Sequence, residues 1–347
     1  MTVRYATQQE ITDWNSLILA NPDGGNIFQS LQMATVKSKA GWKTRFIVSD
    51  QCAMTVHERF IPGLGRLWYL PKGPGVKQAD DITQLQPELR RFARAQGVFL
   101  IKIESEVANT TSNVQVLKKA NLIHSHPIQP NSSTVILDIA GSSDAVMSAL
   151  PQKSRHAIKR AFRDGIEIKQ AKPTQANFTT MLKLMHETMA GKSTLLREEE
   201  YYRTFWNEYA AHNMGALFFA YDKDKPVAGA FVLFFGNKAT YKDGGSTRQK
   251  TIYGASHALQ WHIIEWLKEK GITTYDLCGT PPAKDIGNTS HPHYGIGRFK
   301  TGFNKQVTEF VGVYDSVVRP SAYHLWVTFV ERIITRLYVR VLKKYFY

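Results

Sequence analysis

Cysteine is nearly absent: Cys52 and Cys278 are the two in 347 residues, far apart and without metal-type spacing around either. This argues against a disulfide framework or a zinc site and fits two reduced thiols. Long apolar runs are missing as well. Residues 227–235 form one of the longest, well short of the roughly 20 that a membrane-spanning helix needs. The first ten residues lack the apolar stretch of a signal peptide, so the expected place of work is the cytoplasm. Acidic residues are the scarcer charge: 29 Asp and Glu against 44 Lys and Arg leave +15. Such an excess points to an anionic partner, whether nucleic acid, a phosphorylated substrate or an acidic membrane face.

Familiar catalytic signatures are also lacking. Gly191-Lys192-Ser193 has the end of a nucleotide loop, but His186 stands where the loop's first glycine belongs, and no strand leads into it. His124 with His126, and His291 with His293, lack a third ligand at regular spacing and read as loop histidines. No Ser-His-Asp or Cys-His constellation is evident.

What is present is a repeat. Gly97 ends a helical pattern (Leu89, Phe92, Ala93) and precedes the apolar run Val98-Phe99-Leu100-Ile101; Gly271 does the same before Ile272, 174 residues later. The same offset carries residues 46–48 onto 220–222, the strand 53–60 onto 227–234, and 134–139 onto 308–313. Four elements at one offset predict a tandem duplication of a mixed α/β unit. In the second copy, Asp222-Lys223-Asp224-Lys225-Pro226 reads as a hairpin turn. The expected division is 1–143, completed by a final helix at 317–347, and 144–316, with Ser143 or Asp144 capping a helix at the boundary.

The order of elements suggests two tandem acyltransferase domains of the GNAT type, an α/β (α+β) fold. That is analogy, because a fold does not assign chemistry. Acetyl-CoA enzymes of this fold hold pyrophosphate with a glycine-rich loop at a helix start, where bare N–H groups meet the phosphates. The corresponding stretch here, Arg248 to Ala255, keeps one glycine, Gly254, and residues 77–83 of the first copy keep none.

The residues themselves resemble the Fem family of peptidoglycan bridge aminoacyltransferases. The similarity runs through Phe28-Gln29-Ser30, Lys37, Gly41-Trp42, Gly73-Pro74, the stretch Ser154 to Ala161 leading to Gly165-Ile166, and Arg197-x-x-x-Tyr201. It continues with Tyr241 ahead of Gly244-Gly245-Ser246, Phe299-Lys300-x-Gly302-Phe303, and Gly312-x-Tyr314-Asp315. It spans nearly the whole chain. Two features depart from the pattern: 172–215 is too short for a long helical hairpin, and Asn304-Lys305 replace a Gly-Gly pair.

The resemblance implies aminoacyl transfer from aminoacyl-tRNA, with no other cofactor, to the side-chain amine of a peptidoglycan precursor, either lipid II or UDP-MurNAc-pentapeptide. The donor ester is already activated, so alignment and support for an oxyanion suffice. It also implies that Lys37 and Arg197 hold the substrate's diphosphate, by point charge and fork respectively. Tyr201, a helical turn beyond Arg197, shares its face; Tyr241 and Tyr69 complete the substrate-binding set. Lys300 is the expected catalytic residue, either stabilising the oxyanion or gripping the tRNA end, with Asp80 and Asp81 as candidates for a base. Read without the resemblance, Lys37 and Arg197 are solvated helix charges, Tyr201 is a half-buried aromatic, and Tyr241 is a core residue with its hydroxyl out.

Two basic stretches remain. Lys153, Arg155, Lys159, Arg160 and Arg163 crowd one helix, favouring phosphate of tRNA or lipid; Arg155, Lys159 and Arg160 are the expected contacts. From Arg319 onward six cations face one acid, Glu331. Arg332, Arg336, Arg340 and Lys344 recur every four residues beside Phe329, Ile333, Leu337 and Val341, as in a helix lying on an anionic membrane. Packing on the first domain explains the apolar residues but not the charge. Two rival functions stay open: an acyl-CoA-dependent N-acyltransferase, and a non-catalytic protein that binds tRNA or anionic lipid.

Overall fold

Two helix-ending glycines organise the chain in the same way. Gly97 (φ 72°) and Gly271 (φ 74°) take the left-handed conformation, and their N–H groups donate to Arg94 and Lys268 carbonyls at 3.0 and 2.9 Å. Each stops a long helix, Ala79–Ala95 or Ala255–Glu269, and turns the chain into a strand, Val98–Glu104 or Thr274–Asp276. Each of those strands runs parallel to the strand preceding the helix, Gly65–Pro71 or Lys238–Ser246. The duplication expected from the constant offset is therefore visible element by element.

The structure, a computed structural model, describes residues 1–128, 132–190, 196–248, 253–342 and 345–347. The Gly191-Lys192-Ser193 stretch and residues 249–252 lie outside them. The contacts divide the chain into Met1–Ser132 with Phe310–Tyr347, and Ser133–Glu309. In the first unit the sheet order is Val3–Tyr5, Lys43–Ser49, Ala53–Ile61, Gly65–Pro71, Val98–Glu104, Val313–Val317, Ile123–His124. In the second it is Ile136–Asp138, Thr274–Asp276, Lys238–Ser246, Lys225–Phe235, Gly215–Asp222, Ile166–Ala171. Each core combines one sheet's apolar side chains with those of its long helix: Ile82, Leu85 and Leu89 with Trp68 and Ile101, and Leu259, Ile263 and Ile264 with Phe218 and Tyr275.

The boundaries differ from the expected 143/144 and 316/317, for a topological reason. Val313–Val317, from the far end of the chain, pairs antiparallel with Val98–Glu104 of the first unit. Ile136–Asp138, counted with the first copy in the sequence, pairs antiparallel with Thr274–Asp276 of the second. The two copies have exchanged their closing strands. Backbone pairing between strands so far apart in sequence leaves no local pattern to read.

The basic helix and the final helix follow their periodicity. In Gln152–Arg163 the residues Ser154, Ala157, Ile158 and Ala161 are buried, and the cations take the opposite face. Residues 320–342 are helical throughout, with two wider π turns at Trp326–Val330 and Tyr338–Leu342. Trp326 is buried and Val330, Ile334 and Tyr338 pack beside it on the first unit's core. None of the helices among the described residues is long and apolar enough to cross a membrane.

Candidate active site

In the second unit, the parallel pairing of Lys238–Ser246 with Thr274–Asp276 lasts only three residues and ends at Thr240 opposite Asp276. Tyr241 is the next residue on one strand, Leu277 and Cys278 the next on the other. The register of Lys238–Ser246 also slips here, with Lys242 as an extra residue between those opposite Val232 and Phe231. A bulge of this kind re-aims side chains at a sheet opening. In the first unit the corresponding pair does not part: Gly65–Pro71 stays paired with Val98–Glu104 to the end, Pro71 opposite Glu104.

Lys300, the last residue of the Tyr294–Lys300 helix, reaches this opening. It is 8% exposed, and its Nζ donates to the carbonyls of Cys278 and Gly279 at 3.0 and 2.7 Å. The Tyr241 ring centre lies 5.9 Å away. Burial lowers the lysine's pKa, while Cys278 and Asp276 pull it upward. Burial also raises the Tyr241 pKa, with Asp243 adding to it, so the phenol keeps its proton. At Gly244 a Cβ would fall 1.6 Å from the Tyr241 hydroxyl, so any side chain there would displace the Tyr241 ring. Thr280, two residues past Cys278, is buried with no hydrogen-bond partner for its hydroxyl among the described residues.

Arg197 and Tyr201 meet, though not as a helical pair. Arg197 precedes the Glu199–Ala211 helix and its cap Glu198, and its guanidinium lies 4.7 Å above the Tyr201 ring. Arg155 has a structural task, donating to the carbonyls of Ser148 and Leu150 at 2.8 and 2.9 Å. Arg160 and Arg163 share Asp164 at 3.2 and 3.3 Å, which weakens the basic face expected there. Lys159 is exposed.

In the first unit, Lys37 is not the solvated charge that a helix face suggests. It is 3% exposed, with Nζ 5.7 Å from the Trp42 ring and 5.8 Å from the Tyr69 ring. The Tyr69 hydroxyl donates to Glu104. His57 lies fully buried opposite Tyr69 in the sheet; burial and the Lys37 charge keep it neutral. Nearby, Lys102 is held by Asp315 at 3.1 Å and Glu331 at 3.3 Å. Asp80 is exposed, and Asp81 accepts from the Gln78 N–H at 3.2 Å as a helix cap. Neither Asp is assembled with Lys37 or Tyr69.

The FemAB family model matches residues 121–221 and 212–330, well over half of the chain. The chain belongs to the FemAB family. Among relatives of this FemAB chain, the lipid II:glycine glycyltransferase of Staphylococcus aureus (strain MRSA252) is 22% identical over 423 aligned residues, covering 97% of each protein. The enzyme of that name from Staphylococcus epidermidis (strain RP62A) is 34% identical over 113 residues, 32% of this chain and 25% of that one. The crystal structure of FemX superposes with a TM-score of 0.78 at 18% identity, covering 94% of this chain and 99% of that one. L-PGS from Bacillus licheniformis follows the fold at a TM-score of 0.52 and 12% identity, covering 90% and 92%. The likeness to FemX bears out the GNAT-like tandem fold.

Sequence reasoning missed Asp276, Cys278, Thr280, His57, Glu104 and Lys102. The turn 276–280 left one usable sign, Gly279 three residues past the Thr274–Asp276 strand. The others are ordinary strand residues whose meeting depends on sheet register.

Proposed function

We propose that this FemAB chain transfers an aminoacyl group from aminoacyl-tRNA to the side-chain amine of a peptidoglycan stem peptide, building an interpeptide bridge. The observation that carries the reading is the Lys300 amine at the strand opening of the second unit, held by two carbonyls and with no third hydrogen-bond acceptor among the described residues. Relatives named as lipid II:glycine glycyltransferases supply the substrate class. The acceptor nitrogen attacks the ester carbonyl and a C–N bond forms. The carbonyl oxygen becomes an oxyanion facing the Lys300 ammonium. The C–O bond to the tRNA ribose then breaks, and the proton lost by the amine ends on the departing hydroxyl. The ester is activated beforehand, so positioning and electrostatics supply the catalysis, with no cofactor besides the charged tRNA.

Lys37, Tyr69, Arg197, Tyr201 and Tyr241 are the proposed substrate contacts, with Lys159 and Arg160 on tRNA phosphate. The acyl-CoA alternative is disfavoured by Gly254: a Cβ there would lie 2.2 Å from the Ala157 carbonyl oxygen, so its bareness serves helix packing. The lipid-linked precursor is the favoured acceptor because of the final helix. Phe329, Ile333, Leu337 and Val341 are 58%, 63%, 50% and 67% exposed, so the first unit does not use them, and exposed Arg332, Arg336 and Arg340 lie beside them. The residues expected to anchor the chain on the inner face of the plasma membrane are thus presented to solvent; Lys344 lies outside the described residues.

The test is incubation with a mixture of charged tRNAs and either lipid II or UDP-MurNAc-pentapeptide, read by mass. A gain of one aminoacyl residue, largest with lipid II, is expected. Acylation from acyl-CoA, or no gain with either precursor, overturns the reading.

A further inference from the structure

The two carbonyls that hold Lys300 point the same way because of an unusual turn. After the Thr274–Asp276 strand the chain stays pinned to its neighbour: Leu277 N–H donates to the Val135 carbonyl at 2.9 Å, and Thr280 N–H to the Ser133 carbonyl at 3.0 Å. Between these fixed points Cys278 adopts φ 63°, a left-handed conformation that a residue with a Cβ rarely takes. Asp276 supports it. Its Oδ1 accepts from the Cys278 N–H at 2.7 Å, the aspartate turn in which a side chain bonds the backbone two residues on. The same oxygen accepts from the hydroxyl of Thr134, itself buried, so the carboxylate is fixed from two sides. The turn that results delivers the Cys278 and Gly279 carbonyls to Nζ of Lys300.

Charge adds to geometry. Two carbonyl acceptors hold the amine in either protonation state, and burial favours the neutral one. The groups facing Lys300 are Asp276 and Cys278 from the turn and the Tyr241 ring from the strand alongside. Cys278 and Asp276 both pull the amine toward its charged form, and Asp276 is the one of the two whose side chain also shapes the turn.

We propose that Asp276 is the positioning residue for Lys300, shaping the two-carbonyl cradle through the turn and keeping the amine charged through its own carboxylate. The proposal rests on the aminoacyl-transfer reading for its purpose, while the arrangement itself can be tested without turnover. An ammonium fixed by two acceptors aims its third N–H in one direction, where a freely rotating lysine would not. The sign is set by the linkage: Asp276 stabilises the protonated amine, so removing its charge makes Lys300 lose its proton at lower pH.

The experiment compares wild type with Asp276→Asn, Asp276→Ala, and Asp276→Ala combined with Cys278→Gly. Asparagine keeps the acceptor oxygen and removes the charge. Alanine removes both. Glycine at 278 takes a positive φ without help. Competitive labelling with acetic anhydride across pH, read by mass on the peptide carrying Lys300, gives that amine's titration midpoint. Asp276→Asn should lower the midpoint by about one pH unit, as expected for loss of a nearby opposite charge. An unchanged midpoint in a folded protein overturns the charge role.

Where wild type turns over, the alkaline limb of kcat should move down by the same amount in Asp276→Asn, with KM unchanged. Asp276→Ala should lose about 10²-fold in kcat, the scale of one lost oxyanion donor, and Cys278→Gly should recover part of it. Absence of that loss overturns the cradle role. Wild type that labels as expected but acylates neither precursor refutes the function reading and leaves Asp276's hold on Lys300 standing.

Discussion

The ring of Tyr347 is stacked on Trp42, with 6.1 Å between centroids and 27° between planes. Its hydroxyl donates to Glu331 at 2.5 Å, while Arg59 donates to the Phe346 carbonyl at 2.6 Å. Residues 346 and 347 thus lie against the same aromatic wall, Trp42 and Tyr69, that flanks Lys37. On the proposed role of Lys37, a precursor held there would compete with these rings for that wall. Tyr347→Ala should therefore cost about 1–2 kcal/mol in urea unfolding, the range for a partly buried contact, and tighten precursor binding several-fold by removing the competitor. Calorimetry with the soluble precursor checks the second part. Weaker binding would instead make Tyr347 part of the binding surface.

Lys300→Met should lose about 10²–10³ in single-turnover rate, the usual effect of removing an oxyanion-stabilising group, with precursor affinity kept. The substitution also strips the Cys278 and Gly279 carbonyls of their donor, so circular dichroism must first show a folded protein. An unchanged rate in that protein removes Lys300 from the mechanism.

Thr280 presents the opposite situation, a buried hydroxyl with no partner among the described residues. Replacing an unsatisfied buried polar group with an apolar one of similar shape is neutral or favourable. Thr280→Val should shift stability by less than about 1 kcal/mol, and toward greater stability. A fall in the urea midpoint equivalent to more than about 2 kcal/mol would place a hydrogen bond on that hydroxyl.

The fold was legible where local pattern carried it. Gly97 and Gly271 announce the same helix-to-strand turn, and the offset between them matches strand to strand because neither copy gained much sequence. The exchanged strands, Ile136–Asp138 and Val313–Val317, were not legible, since either looks equally at home in the unit preceding it. Lys300 was reachable through family resemblance alone. Its cradle consists of backbone carbonyls whose direction follows from one dihedral angle at Cys278, and no residue type advertises that. Lys37 was misjudged by the helix-face rule, because its burial depends on Trp42 and Tyr69 closing over it. The basic helix was overestimated for a plainer reason: Asp164, just beyond its last turn, reaches back to Arg160 and Arg163.

The final helix separates two kinds of surface on one element. Trp326, Val330, Ile334 and Tyr338 recur every four residues toward the core, and Phe329, Ile333, Leu337 and Val341 recur every four toward solvent. Substituting the second set should leave folding intact while changing what the helix can bind. Arg332, Arg336 and Arg340 changed together to Gln should weaken flotation with anionic vesicles, at about 1 kcal/mol for each basic residue near the surface. Raising salt should weaken wild type in the same direction as the Debye length shrinks. Changing Phe329, Ile333, Leu337 and Val341 to Ser should weaken flotation at all salt concentrations, since apolar insertion is not screened. Thermal midpoints close to wild type in both variants confirm that the inward face holds the helix in place. Equal flotation of all three proteins would remove the membrane from this helix's role, and the soluble precursor would then be the better acceptor.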